Sequence, residues 1–229
     1  MQTVLTPEHK TGIFIQELKN RFLCEVEIDG ESTVCYVPSS CHLSNFLDLK
    51  GRSVLLAPTQ SKNARTQFAL FAIPYKKNYI LLNTSMANRA VADSIKGRRF
   101  SFLGRRGTIY TEHYVGGYKS DIYIQDTNTI IEVKSVLSTE KCALFPTVFS
   151  ERALKQLEKL RDLLSLGYRV HYSVISLNPY VSSIYFVSDA QFTPLLKSCI
   201  DLGMTISAFS CRIDDSRVYI DKRLQILLP

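Results

Sequence analysis

Apolar residues in roughly the first 80 positions come in short runs that alternate with polar residues, the period of half-buried β-strands. The turn signals Asp29-Gly30, Pro38-Ser39-Ser40 and Lys50-Gly51 separate these runs. Short strands at this spacing favour a small β-barrel; an OB-type barrel is one candidate, and other small barrels stay open. We predict strands over six segments: 12–17, 22–28, 32–37, 52–57, 67–74 and 79–82.

Helical spacing of apolar residues replaces this alternation at Asn83. Thr84 or Ser85 can cap a first helix that ends at Gly97, and a second amphipathic helix extends over 150–166, where Ser150 caps it. The remaining predicted elements are strands over 99–103, 108–115, 119–125, 129–136, 168–175, 182–187 and 204–212 and a helix over 189–202.

This order of elements predicts the fold class. A helix, several antiparallel strands, a second helix and a further strand form an α/β sandwich with a mixed sheet. We therefore predict an α/β (α+β) protein of two domains: a small β-barrel over residues 1–82 and a mixed sheet flanked by helices over residues 83–229. The change of pattern near residue 82 has no flexible linker, so the two parts should pack together.

Charge adds an expectation about partners. The chain has 28 Lys and Arg residues against 21 Asp and Glu residues, a net charge of +7. Such an excess suits a polyanion, because each neutralised phosphate releases counterions, although a basic protein that is merely soluble has the same balance. With 45% hydrophobic and 21% charged residues, the composition is that of a globular protein and argues against disorder.

Apolar runs and cysteines bear on the compartment. The first residues lack the apolar core of a signal peptide, and none of the apolar runs approaches the roughly 20 residues that span a bilayer. We therefore expect a cytoplasmic protein that does not enter a membrane. The six cysteines form no CxxC pair and have no histidine at zinc-finger spacing, which favours reduced structural thiols over zinc ligands or disulfides.

An acid–lysine pattern on two neighbouring strands carries the candidate chemistry. Strand alternation puts Asp121, Glu132 and Lys134 on one face and Ile122, Ile124, Ile131 and Val133 on the other. A hairpin centred between Asp126 and Thr127 sets Asp121 opposite Glu132, with Cβ atoms about 5 Å apart. Two carboxylates this close repel each other unless a cation lies between them.

A divalent cation, Mg²⁺ or Mn²⁺, would meet this need, since Mg²⁺ favours one or two carboxylates together with phosphate oxygens and water. Lys134 could then reach a bound phosphate or an attacking water. The pattern suits metal-dependent hydrolysis of a phosphodiester, with Asp121, Glu132 and Lys134 as catalytic residues. The alternative is an ordinary hairpin face on which the three charged side chains are solvated.

Several stretches together form a more specific pattern: Arg21-Phe22-Leu23, Pro38, Asn83-Thr84-Ser85, Asn88-Arg89, Asp93, Asp121, Ile131-Glu132-Val133-Lys134-Ser135-Val136, Phe145-Pro146 and Ser150-Glu151-Arg152. In these stretches, and over nearly its whole length, the sequence resembles the sugar fermentation stimulation protein family. The resemblance implies an N-terminal OB-like barrel and a C-terminal restriction-endonuclease-like domain of the PD-(D/E)XK type. The resemblance also implies DNA binding and cleavage of nucleic acid with a divalent metal.

The sequence departs from the family pattern at three places. Pro38-Ser39-Ser40-Cys41 stands where the family usually has Pro-Asn-Thr-Gly, which weakens any functional role for this loop. Ser120 stands where an arginine usually precedes the first catalytic acid, and Gln156 stands where many relatives have histidine. The acid–lysine triad is intact.

Further residues are candidates around the triad. Asp93, on the helix before the sheet, is a candidate third metal ligand, although a solvated helix acid is the commoner case. Four arginines are expected to contact phosphates as a basic strip, on a strand that would turn Phe100 and Phe102 to the opposite face. Arg152 and Lys155, at the start of the second long helix, extend the nucleic-acid-binding set. The strip consists of Arg98, Arg99, Arg105 and Arg106.

Two functions follow from these features. The first is a protein that binds DNA or RNA and hydrolyses phosphodiester bonds with Mg²⁺ or Mn²⁺. The second is a DNA-binding regulator of sugar metabolism genes whose acidic site does not turn over. A carbohydrate-binding barrel has little support because the chain contains no tryptophan. The sequence leaves a homodimer open as the assembly.

Overall fold

The computed structural model describes residues 9–39, 42–59, 64–148, 150–214 and 217–229; Ser40 and Cys41 of the loop after Pro38 lie outside these ranges. The first sheet contains six strands. They are β1 (Lys10–Glu17), β2 (Leu23–Ile28), β3 (Glu31–Tyr36), β4 (Ser53–Pro58), β5 (Phe68–Tyr75) and β6 (Asn78–Leu81).

Strands β1 to β5 close into an OB-like barrel. They neighbour one another in the order β3-β2-β1-β4-β5, and a parallel pairing of Tyr36 with Ala69 joins β3 to β5. Gly12 allows β1 to approach β2 closely, because a Cβ there would lie 2.5 Å from Cγ1 of Val26 and 2.8 Å from the carbonyl oxygen of Glu27. The closed barrel confirms the fold predicted for the first part of the chain.

The rest of the chain forms helices around a mixed sheet, with a small parallel sheet beside it. The large sheet has the order β14-β13-β11-β9-β8-β7, and the small sheet has the order β10-β12-β15. Strands β9, β11 and β13 are parallel, while β8 and β14 run antiparallel to their neighbours. In chain order the elements are α1 (Thr84–Ser94), β7 (Ile109–Val115), β8 (Tyr118–Ile124), β9 (Thr129–Val136), β10 (Cys142–Phe145), α2 (Glu151–Ser165), β11 (Arg169–Ser176), β12 (Ser183–Phe186), α3 (Phe192–Asp201), β13 (Thr205–Asp214), β14 (Arg217–Arg223) and β15 (Gln225–Leu227).

Two apolar cores lie on the two faces of the large sheet. On one face, Ile73 of the barrel and Phe209 of β13 belong to the same buried cluster, which also includes the apolar side of α1. The backbone N–H of Leu81 donates to the carbonyl oxygen of Leu177 at 3.0 Å across this junction. On the other face, α2 and α3 pack against the sheet. The barrel and the large sheet are therefore joined by one continuous core.

Residues 99–103, predicted as a strand, form part of a 3-10 helix over Arg98–Leu103 instead. Phe100 and Leu103 are buried, while Phe102 is 42% exposed. The prediction that Phe100 and Phe102 face the same way is therefore wrong. Strand alternation does not hold because the segment is wound into 3-10 turns, which end at Gly104 with a φ of 78°.

Helix capping is partly as predicted. Ser150 caps α2, and its side chain accepts the N–H of Ala153. The cap of α1 is Asn83, whose side chain accepts the N–H of Ser85, so neither predicted residue caps this helix.

The short strands β10, β14 and β15 were not predicted. Within the described ranges, the helices are all too short or too polar to cross a membrane, and the five cysteines described are free thiols.

Candidate active site

The β8–β9 hairpin places Asp121 and Glu132 opposite each other. Ile122 pairs with Ile131, so the next position along the two strands brings Asp121 to Glu132. Asn128 closes the turn in the left-handed conformation, with a φ of 51°, which asparagine tolerates better than most residues. This is the register that the sequence predicts.

The charged triad and four apolar residues of the hairpin lie on opposite faces of the sheet. Because side chains alternate along a strand, the three charged residues of the predicted triad lie on the α2 side. Lys134 contacts Gln156 of α2 directly. The residues that lie in the core shared with the barrel are Ile122, Ile124, Ile131 and Val133.

The paired part of β8 and β9 ends beside Asp121. The backbone N–H of Val133 donates to Oδ2 of Asp121 at 2.7 Å. The Nδ2 atom of Asn88, on α1, donates to Oδ1 of the same carboxylate at 3.3 Å. Two donors from different elements therefore hold the Asp121 carboxylate where the strands separate.

Glu132 is almost completely buried, with 2% of its surface exposed. The hydroxyl of Tyr118 donates to its Oε2 atom, and Nζ of Lys134 lies 2.6 Å from its Oε1 atom. The same Nζ atom donates to Oε1 of Gln156 at 2.6 Å. Both oxygens of Glu132 thus have a donor, and the ammonium group of Lys134 is held between two acceptors.

Burial and the second carboxylate set the electrostatics of the pair. Burial, with the charge of Glu132 as the next cause, raises the pKa of Asp121 to about 6, although the N–H of Val133 and the ammonium of Lys134 act in the opposite direction. Burial and the charge of Glu132 also raise the pKa of Tyr118 well above its ordinary value, so its hydroxyl stays a donor. A buried carboxylate pair that resists full ionisation is the arrangement that a cation would stabilise.

The structure does not bring Asp93 to the carboxylate pair. Asp93 is an exposed residue of α1, and the cation that acts on it is Arg89. Among the described residues there is no cluster of three or more His, Cys, Asp or Glu side chains that could hold a metal ion. From α1 it is the amide of Asn88 that reaches Asp121.

The predicted basic strip lies at the turn end of the β8–β9 hairpin, away from the carboxylate pair. Nε of Arg105 lies 3.2 Å from Oδ1 of Asp126, which is roughly 15 Å along the strand from Asp121. Arg98 and Arg99 are exposed on the 3-10 helix. These three side chains are available to phosphate, but not at the acid pair.

Arg106 belongs to the same segment but is partly buried by its own loop. Its guanidinium donates to the carbonyl oxygen of Phe100 at 2.6 Å and to that of Gly104 at 2.9 Å. Two backbone acceptors therefore engage this side chain, and its first role is to hold the loop.

Arg152 and Lys155 lie at the end of the sheet where the carboxylates are. Because β9 and β11 are parallel neighbours, the chain must return along the sheet before β11 begins, and α2 runs in this opposite direction. Its first turns therefore lie beyond the carboxyl end of β9. Arg152 is one turn before Gln156, on the same helix face. Both cations are exposed, and the N-terminus of a helix favours phosphate.

Comparison with known proteins decides the family. Residues 18–82 match the family model of the SfsA N-terminal OB domain. Residues 85–217 match the model described as the sugar fermentation stimulation protein RE domain. The chain belongs to the sugar fermentation stimulation protein (SfsA) family. Membership implies an OB barrel that binds nucleic acid.

Individual relatives match over nearly the whole chain. A sugar fermentation stimulation protein homolog of Caldanaerobacter subterraneus subsp. tengcongensis is 32% identical over 226 residues, which cover 95% of this chain and 96% of the relative. A homolog of Natranaerobius thermophilus is 28% identical and covers 92% of this chain and 91% of its own. The solved structure of Pyrococcus furiosus SfsA, described as a complex with Ca²⁺, has a TM-score of 0.85 at 22% identity and covers 99% of both chains. The fold of this chain is therefore the SfsA fold.

Three residues of this SfsA site had no predicted role. In the sequence, Asn88 matches the family pattern and Gln156 departs from it, and neither position indicates a role by itself. Tyr118 precedes Asp121 by three residues, and strand alternation alone would turn it to the opposite face. Their contacts depend on how α1, α2 and β8 approach one another, and a single sequence does not encode that in any local pattern.

Proposed function

We propose that this SfsA-family chain binds nucleic acid and hydrolyses its phosphodiester bonds with Mg²⁺ or Mn²⁺ at Asp121 and Glu132. The observation that carries the proposal is the buried carboxylate pair, held opposite each other and beside the ammonium group of Lys134. The alternative, solvated charges on an exposed hairpin face, does not fit Glu132, which is only 2% exposed. Burying two carboxylates at this distance is costly unless a cation compensates.

The donor set fits a hard divalent cation. Carboxylate oxygens are the ligands that Mg²⁺, Mn²⁺ and Ca²⁺ prefer, and Mg²⁺ commonly takes one or two carboxylates, leaving positions for water and phosphate oxygens. The Pyrococcus furiosus relative was solved with Ca²⁺, which supports a divalent cation in the family. When bound, such a cation lowers the pKa of a water molecule and offsets the negative charge of the phosphate.

The protein's own residues orient the reacting groups. Tyr118 and the N–H of Val133 fix one oxygen of each carboxylate. Gln156 holds the ammonium group of Lys134 within reach of the space beside Glu132. From there Lys134 can donate a hydrogen bond to a phosphate oxygen or to an attacking water, and so stabilise negative charge as it develops.

Cations around the site would hold the phosphate backbone. Arg152 and Lys155 are proposed to contact phosphates next to the scissile bond, because they are exposed at the same end of the sheet. Arg98, Arg99 and Arg105 are proposed to contact the backbone further away. Phosphate contacts of this kind position the nucleic acid without reading its sequence.

A cleavage assay on the full chain tests this function. Labelled single- and double-stranded DNA and RNA are incubated with the protein in Mg²⁺, Mn²⁺, Ca²⁺ or EDTA. We expect cleavage of at least one substrate in Mg²⁺ or Mn²⁺ and none in EDTA. Tight binding of every substrate without cleavage in any metal would instead support a regulator that binds DNA and does not hydrolyse it.

A further inference from the structure

A cleft of about 580 Å³ lies between the barrel and α1, within the size range of sites that hold small organic groups. Its floor is apolar and includes Ala57, Ala69 and Phe71 of the barrel. Met86 of α1 covers it from the other side. None of the residues assigned to the carboxylate site lines this cleft.

The charge around this cleft is positive. Arg65, from the barrel, and Arg89, from α1, both line it and are both exposed. Of its lining residues that the structure describes, none is acidic. Asn83 and Ser85 add polar groups at the start of α1. An anionic occupant with an apolar part therefore fits this cleft better than a neutral or cationic one.

Exposed aromatic rings stand at one side of the cleft. Tyr36, which lines the cleft, is 40% exposed, and Phe22 next to it is 38% exposed. Their rings are stacked, with centroids 6.4 Å apart, and the guanidinium of Arg21 lies 4.9 Å from the centroid of Phe22. Aromatic rings beside arginines are the combination on which the bases of single-stranded nucleic acids stack.

The position of the cleft also matters for the active site. It is bordered by the connection from β1 to β2, through Asn20, and by the connection from β4 to β5, through Thr59 and Thr66. Its last wall is α1, in which Arg89 directly follows Asn88, the residue that donates to Asp121. A nucleic-acid strand that leaves the cleft and crosses α1 would reach the carboxylates after about one helix diameter, roughly 10 Å.

We propose that this composite cleft holds unpaired bases of a nucleic-acid single strand, an inference that rests on the proposed action on nucleic acid. Tyr36 stacks on a base, and Arg65 and Arg89 neutralise the adjoining phosphates. Bases inside a duplex are paired and stacked and cannot enter. The substrate class is therefore single-stranded nucleic acid, or a duplex with a single-stranded end, and not a fully paired duplex.

Binding measured by fluorescence anisotropy in EDTA tests this assignment without turnover. The probes are a short labelled DNA single strand, the same strand annealed to its complement, and unlabelled mononucleotide as competitor. Tyr36→Ala and Arg89→Glu are compared with the matched controls Tyr114→Ala, which removes a 71% exposed tyrosine of β7, and Lys197→Glu, on the exposed side of α3. Tyr36→Phe keeps the stacking ring.

We expect the single strand to bind more tightly than the duplex. Tyr36→Ala and Arg89→Glu should each weaken single-strand binding by about tenfold, whereas Tyr36→Phe and both controls should bind like the wild type. Equal affinity for strand and duplex, wild-type affinity in both cleft variants, or displacement of the strand by low concentrations of mononucleotide would overturn the inference. If binding depends on Tyr36 but the protein never cleaves, only the proposed hydrolysis is refuted. If cleavage and KM are unaltered in both cleft variants, only the proposed role of the cleft is refuted.

Discussion

The Nζ atom of Lys134 lies 2.6 Å from Oε1 of Glu132, and the side chain of Gln156 holds it there with a second contact of 2.6 Å. A lysine between two acceptors keeps one orientation beside the carboxylates. When a phosphate approaches, its oxygens compete with those of Glu132 and Gln156 for the ammonium protons. Gln156 is thus a positioning residue for Lys134.

Replacing Gln156 should therefore slow cleavage without preventing binding. Gln156→Leu removes the acceptor but keeps a side chain of similar size, and we expect kcat to fall about tenfold because a hydrogen bond to a charged group is lost. KM should change little. Gln156→His restores a polar partner and should recover most of the rate. Single-turnover cleavage kinetics check this, with the exposed Glu158→Ala on the same helix as control; equal kcat values for Gln156→Leu and wild type would contradict the positioning role.

Asp121 should make the metal-free protein more stable at acid pH than at neutral pH. Its pKa is about 6 in the folded protein, against an ordinary value of 3.8, mainly through burial and then through Glu132. The folded state therefore holds the proton more tightly, and stability is lost as the pH rises from about 4 through about 6. Asp121→Asn should remove this loss and be more stable than the wild type above pH 6, by on the order of 2 kcal/mol.

Urea unfolding of wild type and Asp121→Asn in EDTA, from acid to neutral pH, measures this difference. The two proteins should converge below about pH 4. Added Mg²⁺ or Mn²⁺ should stabilise the wild type more than the variant, since the cation binds only the folded carboxylate pair. A variant that is less stable than the wild type at neutral pH in EDTA would show that the carboxylate pair is not under electrostatic strain.

The two groups of cations should separate binding from turnover. Charge reversal at Arg98, Arg99 and Arg105 should weaken nucleic-acid binding for all sequences and lower the salt dependence of the affinity. Cleavage at saturating substrate should continue. Charge reversal at Arg152 and Lys155, beside the carboxylate pair, should also lower kcat. Anisotropy titrations over a range of salt concentrations measure binding, and cleavage at saturating substrate measures kcat. If charge reversal in the two groups of cations changes kcat equally, the assigned positions are contradicted.

The hairpin could be predicted from sequence because its determinants are local. A period of two fixes which residues share a face, and the turn around Asp126 fixes that Asp121 meets Glu132. The basic strip could not be placed in the same way. Arg98 and Arg99 lie on a 3-10 helix whose buried side is set by the packing of Phe100, and Arg105 and Arg106 lie in the loop after it. The distance of this loop from the acids follows from the antiparallel pairing of β7 with β8, which sets Ile109 beside Ile124 at the turn end of the hairpin.

The metal ligands show the same limit. Asp93 was a reasonable third ligand by sequence order, but helix α1 turns it outward and presents Asn88 to Asp121 instead. Rotation of a helix about its axis is set by the apolar residues it buries, here Met86, Ala87, Ala90 and Val91. Residues on the polar side cannot be assigned to a site until the direction of approach is known.

We propose that residues 1–82 and 83–229 are distinct domains that unfold together, because they share one core. Leu56→Ala, at a fully buried barrel position, should lower stability by about 2–5 kcal/mol. The α-helices described all lie after residue 83, so the helical circular dichroism signal reports on the second domain. Its melting temperature should fall in Leu56→Ala but not in Ile13→Ala, at a 41% exposed barrel position. A helical signal that melts at the wild-type temperature in Leu56→Ala would show independent domains.

The central claim is that Asp121, Glu132 and Lys134 form a metal-dependent hydrolytic site. The most direct measurement is cleavage of the preferred substrate by wild type, Glu132→Gln and Lys134→Ala in Mg²⁺ or Mn²⁺, with binding of the same substrate measured in EDTA. Glu31→Gln, on the exposed start of β3, is the matched control. We predict that both site variants lose metal-dependent cleavage by a factor of at least about 100 while they bind within a few-fold of the wild type, because binding depends on the cations and the barrel. Cleavage that survives in Glu132→Gln and Lys134→Ala at the rate of Glu31→Gln would contradict the claim.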